Sequence, residues 1–484
     1  MNRTKQHLYA LLAFCLSLGA CKVGRDYQRP ATDLPAAYRS GDSLTDSVGI
    51  ADIPWREFFS DSALIDLIDS ALVHNHDLQT ALKNIQIANQ YVKRSKAAFF
   101  PQVEADVAGV NQQRRSEHFY SNPSSGWYGD DGPGSDPPDV LFNYQSQYYS
   151  VLGTSWEIDI WGKLRRQKEA AIAEYLTTQE ARKAVQTSLI AAIADGYYNL
   201  LMLDAQMEVA RRNLRLNDST LRIVELQYDA GEVTALAIQQ TESQKLVAAA
   251  LIPSLEQEIS IQENTLMALT GRMPDGVVRA SSLAELPTDD AFSVGVPLHL
   301  MRNRPDVRSA ELSLQAANAE VGVAQAFRYP SLSISATVGI NAMLPQNWFN
   351  VPGSLIGGFI GGLTQPVFSG RRLKTQHEVA KLERDKAELE LHQTVLDATV
   401  EVSNALIMVQ KLRERYEIAE QRVSTSQKAV HNANLLFRSG YASYLEVITA
   451  QSNALNSELD LTSIKQQQLN AKVELYRALG GGWK

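Results

Sequence analysis

The chain has 484 residues, 44% of them hydrophobic and 21% charged, with a formal net charge of −8. That length does not limit core size, the supply of aliphatic and aromatic residues argues against global disorder, and the acidic balance argues against a protein that coats nucleic acid. Both cysteines, Cys15 and Cys21, precede residue 22, which excludes a disulfide scaffold and a cysteine-based zinc site.

Residues 1–20 read as an export signal. Arg3 and Lys5 form a basic start, and the apolar stretch from Leu8 to Ala20 is too short for the roughly 20 residues of a membrane-spanning helix. It ends Leu18-Gly19-Ala20-Cys21, which resembles the lipobox cut by the lipoprotein signal peptidase. That cut needs small residues before it and a thiol after it, because the thiol receives the lipid. Cys21 is the candidate lipidation site, carrying a diacylglycerol and an N-acyl chain; the alternative is an ordinary signal cut after Ala20 beside a bystander cysteine. Cys15 leaves with the signal, and loss of Arg3 and Lys5 takes the mature balance to −10. Lys22 stands where an Asp would mark inner-membrane retention, so the expected address is the outer membrane, facing the periplasm. No later apolar run is long enough for a spanning helix, so a membrane crossing by this chain must use strands.

An internal repeat organises the rest. His76-Asp77-Leu78 through Phe100-Pro101 aligns with Pro305-Asp306-Val307 through Tyr329-Pro330 at an offset of 229. Trp161-Gly162 matches Ser369-Gly370 at 208, and Tyr228-Asp229-Ala230-Gly231 matches Phe437-Arg438-Ser439-Gly440 at 209, with Leu236 against Leu445. The change of offset falls on residues 121–139, a Ser-, Pro-, Gly- and Asp-rich enlarged loop. The pattern predicts repeat 1 over 61–271, with a helix, strands near 101–111 and 145–161, a long helix 163–228 and a helix 233–270. A segment 272–303 follows. Repeat 2 over 304–479 has a helix 304–328, strands near 331–341 and 354–368, a long helix 371–437 and a helix 442–478; the tail is 480–484.

Residues 163–228 hold no Pro and one Gly, Gly196, and 371–439 hold neither. Sixty-six helical residues rise about 100 Å, and a rod of that length needs partner helices along it. Val395, Val402, Leu406, Val409 and Leu412 recur at the required spacing, and Gly231 and Gly440 end the rods as C-terminal caps. In the strands, Leu332, Ile334, Ala336, Val338 and Ile340 alternate with Ser333, Ser335, Thr337 and Gly339; Leu152, Thr154, Trp156, Ile158 and Ile160 alternate likewise. Such faces suit a barrel wall between lipid and water, or a half-buried sheet in a soluble protein. Four strands are too few to close a barrel, so it must be shared between subunits.

At this point the sequence resembles the outer membrane factor family, the TolC-like channels of tripartite export systems, in the branch of NodT-type lipoproteins. The resemblance rests on Val23-Gly24-Arg25-Asp26-Tyr27-Gln28-Arg29-Pro30, Trp156-Glu157-Ile158-Asp159-Ile160-Trp161-Gly162-Lys163, Asn303-Arg304-Pro305-Asp306-Val307-Arg308 with Ala310-Glu311, Ala268-Leu269-Thr270-Gly271-Arg272, and Tyr476-Arg477-Ala478-Leu479-Gly480-Gly481-Gly482-Trp483. It implies an α+β membrane protein: a homotrimer whose twelve-stranded barrel sits in the outer membrane and continues as a coiled-coil periplasmic tunnel. Segments 21–60 and 272–303 and the C-terminus would form an equatorial belt. The function implied is a passive exit duct, docked to a periplasmic adaptor and an inner-membrane transporter, here one driven by an ion gradient.

Under that resemblance, Gly231, Leu236, Gly440 and Leu445 shape the periplasmic entrance and meet the adaptor; read plainly, the glycines are caps and the leucines are packing. Related channels carry an acidic residue four positions after the leucine matching Leu445 and an arginine three further on. This chain departs from that pattern with Thr449 and Ser452 there, which argues against a charge-based latch at that spot. Glu446 and Glu242 could form an acidic ring or simply a solvated helix face, and Asp77 and Asp306 suit helix starts. No Gly-x-Ser-x-Gly, phosphate loop or His-Glu-x-x-His occurs, and His74 and His76 lie on different sides of a helix, so neither catalysis nor a metal site is expected. Two further readings stay open: a duct for ATP-driven protein secretion, and a non-conducting lipoprotein that bridges the periplasm.

Overall fold

A computed structural model of the chain describes residues 23–31, 50–115, 143–287 and 300–484. Cys21 and the export signal lie outside the described residues. The helices are α1 (Trp55–Phe58), α2 (Ser62–His74), α3 (His76–Ala97), α4 (Lys163–Asp229), α5 (Ala235–Leu269), α6 (Leu300–Asn303), α7 (Pro305–Ala326), α8 (Arg372–Arg438) and α9 (Tyr444–Ala478). The strands are β1 (Gln102–Arg115), β2 (Asn143–Ile158), β3 (Ser331–Ala342) and β4 (Leu355–Thr364). Lengths match in pairs: α3 and α7 have 22 residues, α4 and α8 have 67, and α5 and α9 have 35. The chain forms two compact units, one of 1–28, 89–172 and 315–385, the other of 29–88, 173–314 and 386–484.

The first unit is built on one antiparallel sheet in the order β1-β2-β3-β4. Register fixes its faces, because directly paired residues point the same way. Val103 pairs with Thr154, Ala105 with Leu152, Leu152 with Val338, Ala336 with Phe359 and Leu332 with Leu363. These residues share one apolar face, and Val103, Leu152, Val338, Phe359 and Leu363 stand exposed on it. The opposite face carries Glu104, Asp106, Ser155, Glu157, Ser333, Ser335 and Thr337. Ile360 pairs with Ser335 and is an exception to the polarity of that face. A bulge between Asp106 and Gly109 re-aims the end of β1, which runs on to Arg115, beyond the expected 111.

Two strand ends fall short of expectation for local reasons. β2 stops at Ile158 rather than 161 because Asp159 turns to the start of α4, accepting from the amides of Leu164 (3.0 Å) and Arg165 (3.1 Å). A carboxylate there satisfies orphan helix donors and meets the positive end of the dipole. β4 stops at Thr364 rather than 368, ahead of Pro366, which has no N–H to give to a ladder. The segment Val23–Gln28 lies across this unit: the Val23 amide donates to Trp161 O (3.1 Å), Asn318 donates to Arg25 O (3.1 Å), and the fully buried Arg166 donates to Gly24 O (3.1 Å).

The second unit is helical. Its buried side chains include Leu64 and Ile68 of α2, Ile193, Tyr197, Leu200 and Leu201 of α4, Leu266 of α5, Ala398 and Val402 of α8, and Leu475 and Tyr476 of α9. Gly196, the one glycine of α4, sits where a Cβ would come within 2.9 Å of both Gln262 and Leu266 of α5, so it permits the close crossing of these helices. The Asn303–Asp306 motif and the C-terminus are locked together. Arg304, 7% exposed, donates to Ala478 O (2.7 Å), Glu401 (2.5 Å) and Asp306 (2.7 Å), and Trp483 Nε1 donates to Asn303 O (3.1 Å). Burial works against the Asp306 charge, but the Arg304 guanidinium outweighs it and holds the carboxyl below its ordinary range. The segment 272–287 packs here too, through Arg279 on Asp204 (2.9 Å) and Glu263 (2.5 Å).

Candidate functional site: the paired helical turns

The α4–α5 and α8–α9 turns begin in the same way. Gly231 (φ 80°) and Gly440 (φ 77°) take the left-handed conformation that only glycine adopts cheaply. In the first turn, the Gly231 amide donates to Tyr228 O (2.9 Å) and that of Glu232 to Gln227 O (2.8 Å). In the second, Gly440 donates to Phe437 O (3.1 Å) and Tyr441 to Leu436 O (2.9 Å). Both are Schellman caps, which satisfy orphan carbonyls and turn the chain back. Nothing lies within 4 Å of a Cβ built on either glycine, so conformation and not crowding selects glycine here.

The turns are packed on each other. Val224, Ala237, Phe437 and Val447 form one buried cluster, flanked by Ile223, Val233, Ile238, Ala433 and Tyr444, and Tyr444 Oη donates to Gln240 Oε1 (2.7 Å). Gly231, Leu236, Gly440 and Leu445 are thereby brought to one end of the bundle. Leu236 (56% exposed) and Leu445 (54%) project into solvent, while the neighbouring Ala237 and Val447 make the core. Tyr441, Leu226 and Leu435 are exposed beside them, and Thr449 is exposed one turn on from Leu445. A surface that leaves leucines and a tyrosine exposed over this buried cluster is available to a partner.

The second turn differs from the first in its cap. Ser443 and Glu446 form a reciprocal capping box, with the Ser443 amide donating to Glu446 Oε2 (2.9 Å) and the Ser443 hydroxyl also donating to that carboxylate. The hydroxyl bond holds the Glu446 carboxyl below its ordinary range. Thr234, at the matching place before α5, makes no side-chain cap. Glu446 is thus engaged locally, and Glu242 stands within electrostatic reach of Lys245, which itself pairs with Asp218 (2.5 Å).

Sequence reading missed a buried polar ladder behind the turns. Gln451, 1% exposed, donates to Thr220 Oγ1 (2.9 Å); Asn213 donates to Gln451 O (3.5 Å) and Asn217 to Asn213 Oδ1 (2.7 Å). Asn213, Asn217 and Thr220 occupy α4 at three- and four-residue spacing, the one signal that could have marked them as facing a single helix. Among the described residues no group of His, Cys, Asp and Glu is gathered to hold a metal, and no helix is long and apolar enough to cross a membrane.

The outer membrane efflux protein family matches residues 67–272 and 297–481. The chain belongs to that family. Similarity to individual efflux proteins runs over nearly the whole length. The cation efflux system protein CusC of Escherichia coli O6:H1 is 27% identical over 482 residues, covering 98% of this chain and 99% of CusC. The solvent efflux pump outer membrane protein SrpC of Pseudomonas putida is 29% identical over 474 residues, covering 97% of each. The open-state crystal structure of the Neisseria gonorrhoeae MtrE outer membrane channel superposes with a TM-score of 0.80 at 26% identity, covering 96% of this chain and 99% of MtrE. This efflux protein is therefore an outer-membrane channel of an export pump, a member of a family of channels and not of enzymes, and it resides in the outer membrane and extends into the periplasm.

Proposed function

We propose that three copies of this channel close a twelve-stranded barrel, and that the assembly is the passive exit duct of a tripartite pump exporting small toxic molecules. The observation that carries this reading is the sheet: within one chain β1 and β4 are edges, and one face is apolar from Val103 to Leu363. Unpaired edges in a membrane demand closure, and four strands reach it only with strands from other copies. A stripe on α8 supports the same assembly. Leu389, Leu396, Val400 and Ile407 follow seven- and four-residue steps and are exposed, as a coiled-coil seam awaiting a neighbouring helix would be. The paired elements of equal length fit an origin by internal duplication.

The exposed turns at Gly231–Leu236 and Gly440–Leu445 are the proposed periplasmic entrance and adaptor contact, with Glu446 and Thr449 on the same rim. The adaptor delivers substrate from an inner-membrane transporter driven by an ion gradient. Cys21, two residues before the docked Val23, is the proposed lipid anchor of the channel, and segments 21–60 and 272–303 with the C-terminus are its equatorial belt. No organic cofactor is required by a duct of this kind.

The test is accumulation of dyes, antibiotics and metal ions in three strains: one lacking the gene, one restored with wild type and one restored with Leu445→Ala. Build-up of unrelated amphiphiles in the deletion strain, cleared on restoration, is the expected result. Accumulation of one metal alone would mark a dedicated cation pump, and a change confined to secreted proteins would overturn the small-molecule reading. Native mass spectrometry should find three chains, and metabolic labelling with palmitate should be lost in Cys21→Ser.

A further inference from the structure

The two strand connections at the end of the sheet away from the helices differ in chemistry. The β1–β2 connection, 116–142, lies outside the described residues and contains Glu117, Asp130, Asp131, Asp136 and Asp139. The β3–β4 connection has no such charges. From Tyr329 to Gly370 the chain carries no Asp, Glu, Lys, Arg or His at all. Its loop instead presents Leu344, Phe349 and Val351, which are 51%, 70% and 58% exposed.

The loop also folds in a definite direction. Tyr148 pairs with Ala342 and shares the apolar face with Leu152 and Val338. The Trp348 ring rests 5.8 Å from that of Tyr148, and Phe349 stacks on Trp348 at 5.0 Å. A 3-10 turn at Pro345–Asn347 and the Ser354 carbonyl, which accepts from the Asn341 amide (2.8 Å), close the connection. Through Trp348, the exposed Phe349 is therefore continuous with the apolar face of the sheet and not with the polar one. Leaving three such side chains in water forgoes the gain of burying them, and an aromatic pair at the rim of an apolar band is the arrangement that suits a membrane interface.

We propose that the β3–β4 connection is a lipid wedge: Leu344, Phe349 and Val351 enter the acyl chains of the outer leaflet beside the barrel, and Trp348 with Tyr148 marks the headgroup level. This rests on the reading of the apolar sheet face as lipid-facing.

Spin-label accessibility tests both statements separately. The full-length protein carrying Phe349→Cys or Val351→Cys is labelled with a nitroxide, with the wild-type chain as the labelling blank, and reconstituted in phosphatidylethanolamine–phosphatidylglycerol vesicles. Collision with oxygen, which concentrates in the bilayer, is compared with collision with a water-soluble nickel chelate. Phe359→Cys, in the middle of the apolar face, and Thr337→Cys, on the polar face, are the references. The expected result is an oxygen-to-nickel ratio at positions 349 and 351 several-fold above that at 337 and close to that at 359. A nickel-dominated signal at 349 and 351, with 359 still oxygen-dominated, would place the loop in water and overturn the wedge alone. Shielding of 349 and 351 from both reagents would place the loop against another protein surface and overturn it equally. Nickel access at 359 would remove the lipid-facing reading and the wedge with it.

Discussion

Arg304 and Glu401, 97 positions apart in the chain, are joined by a 2.5 Å ion pair at the centre of a network that closes the helical unit. Glu401 also receives Arg477, which in turn donates to Glu474 (2.6 Å), while Arg304 reaches Asp306 and the Ala478 carbonyl. One carboxylate thus answers two guanidinium groups, from the loop before α7 and from the end of α9.

Glu401→Gln should therefore be among the more damaging conservative changes in this protein. It leaves the buried Arg304 with Asp306 as its remaining carboxylate, and breaking a buried pair from one side costs about 3–5 kcal/mol. Glu474→Gln removes only the outer partner of Arg477 and should cost less. Thermal unfolding followed by circular dichroism checks the ranking, and equal melting points for the two variants would contradict it.

Asp195 carries a pH-dependent penalty. Burial, and then the nearby Glu474, raise its carboxyl from the ordinary 3.8 to about 6, against the opposing pull of Arg477. One of its oxygens is buried without a hydrogen-bond partner. The folded state therefore binds this proton more tightly than the unfolded chain does. Stability falls as pH rises from about 4 to about 6 and stays lower above that. Asp195→Asn should raise stability near pH 7.5 by about 1–3 kcal/mol, with the gain shrinking toward zero near pH 4. Melting curves across that range decide it; a gain independent of pH would mean that the charge is not the cause.

What the sequence made legible, and what it did not, follows from the range of the interactions. The long helices were readable because absence of Pro and Gly is a local property, and their ends because a Schellman cap needs glycine at one position. The apolar sheet face was readable because its period is two. The bulge after Asp106 and the turn of Asp159 away from β2 were hidden, since each depends on which neighbour the backbone meets. The local engagement of Glu446 is legible too, since Ser443 three residues earlier is the capping-box signature. The Arg304–Glu401–Arg477 network and the Asn213–Gln451 ladder join residues far apart in sequence, and no local pattern announces them.

Glycines of equal conformation should not be equally replaceable. Gly440 and Gly480 both have positive φ, 77° and 90°. Alanine at 440 meets nothing, so Gly440→Ala should cost only the conformational penalty of about 1 kcal/mol. A Cβ at 480 would lie 2.8 Å from the Asn303 carbonyl carbon and oxygen, backbone that is itself tied to Trp483 and Arg304. Gly480→Ala should therefore cost at least about 2 kcal/mol more. Hydrogen exchange at each turn separates the two outcomes, and Gly440→Asn, which tolerates the left-handed region, should recover part of the smaller loss.

Arg166 decides whether the first residues after the proposed lipid site are held. Its guanidinium has no exposed surface, donates to Gly24 O (3.1 Å) and Glu169 (2.8 Å), and pairs with Asp26 (3.1 Å). A Cβ on Gly322 would come within 3.0 Å of the Arg166 stem, so the helix opposite is glycine to make room for it. Arg166→Met keeps the stem and removes every donor, leaving Gly24 held only through its neighbours. The exposed Arg25 should then be cut by trypsin roughly tenfold faster, as expected for a local opening eased by about 1.4 kcal/mol. Glu169→Gln, which spares the contact with Gly24, should leave cleavage near the wild-type rate. Equal rates in Arg166→Met and wild type would show that Val23 on Trp161 and Asn318 on Arg25 suffice to hold the segment. The buried guanidinium would then be a packing element of α4 and not a clamp.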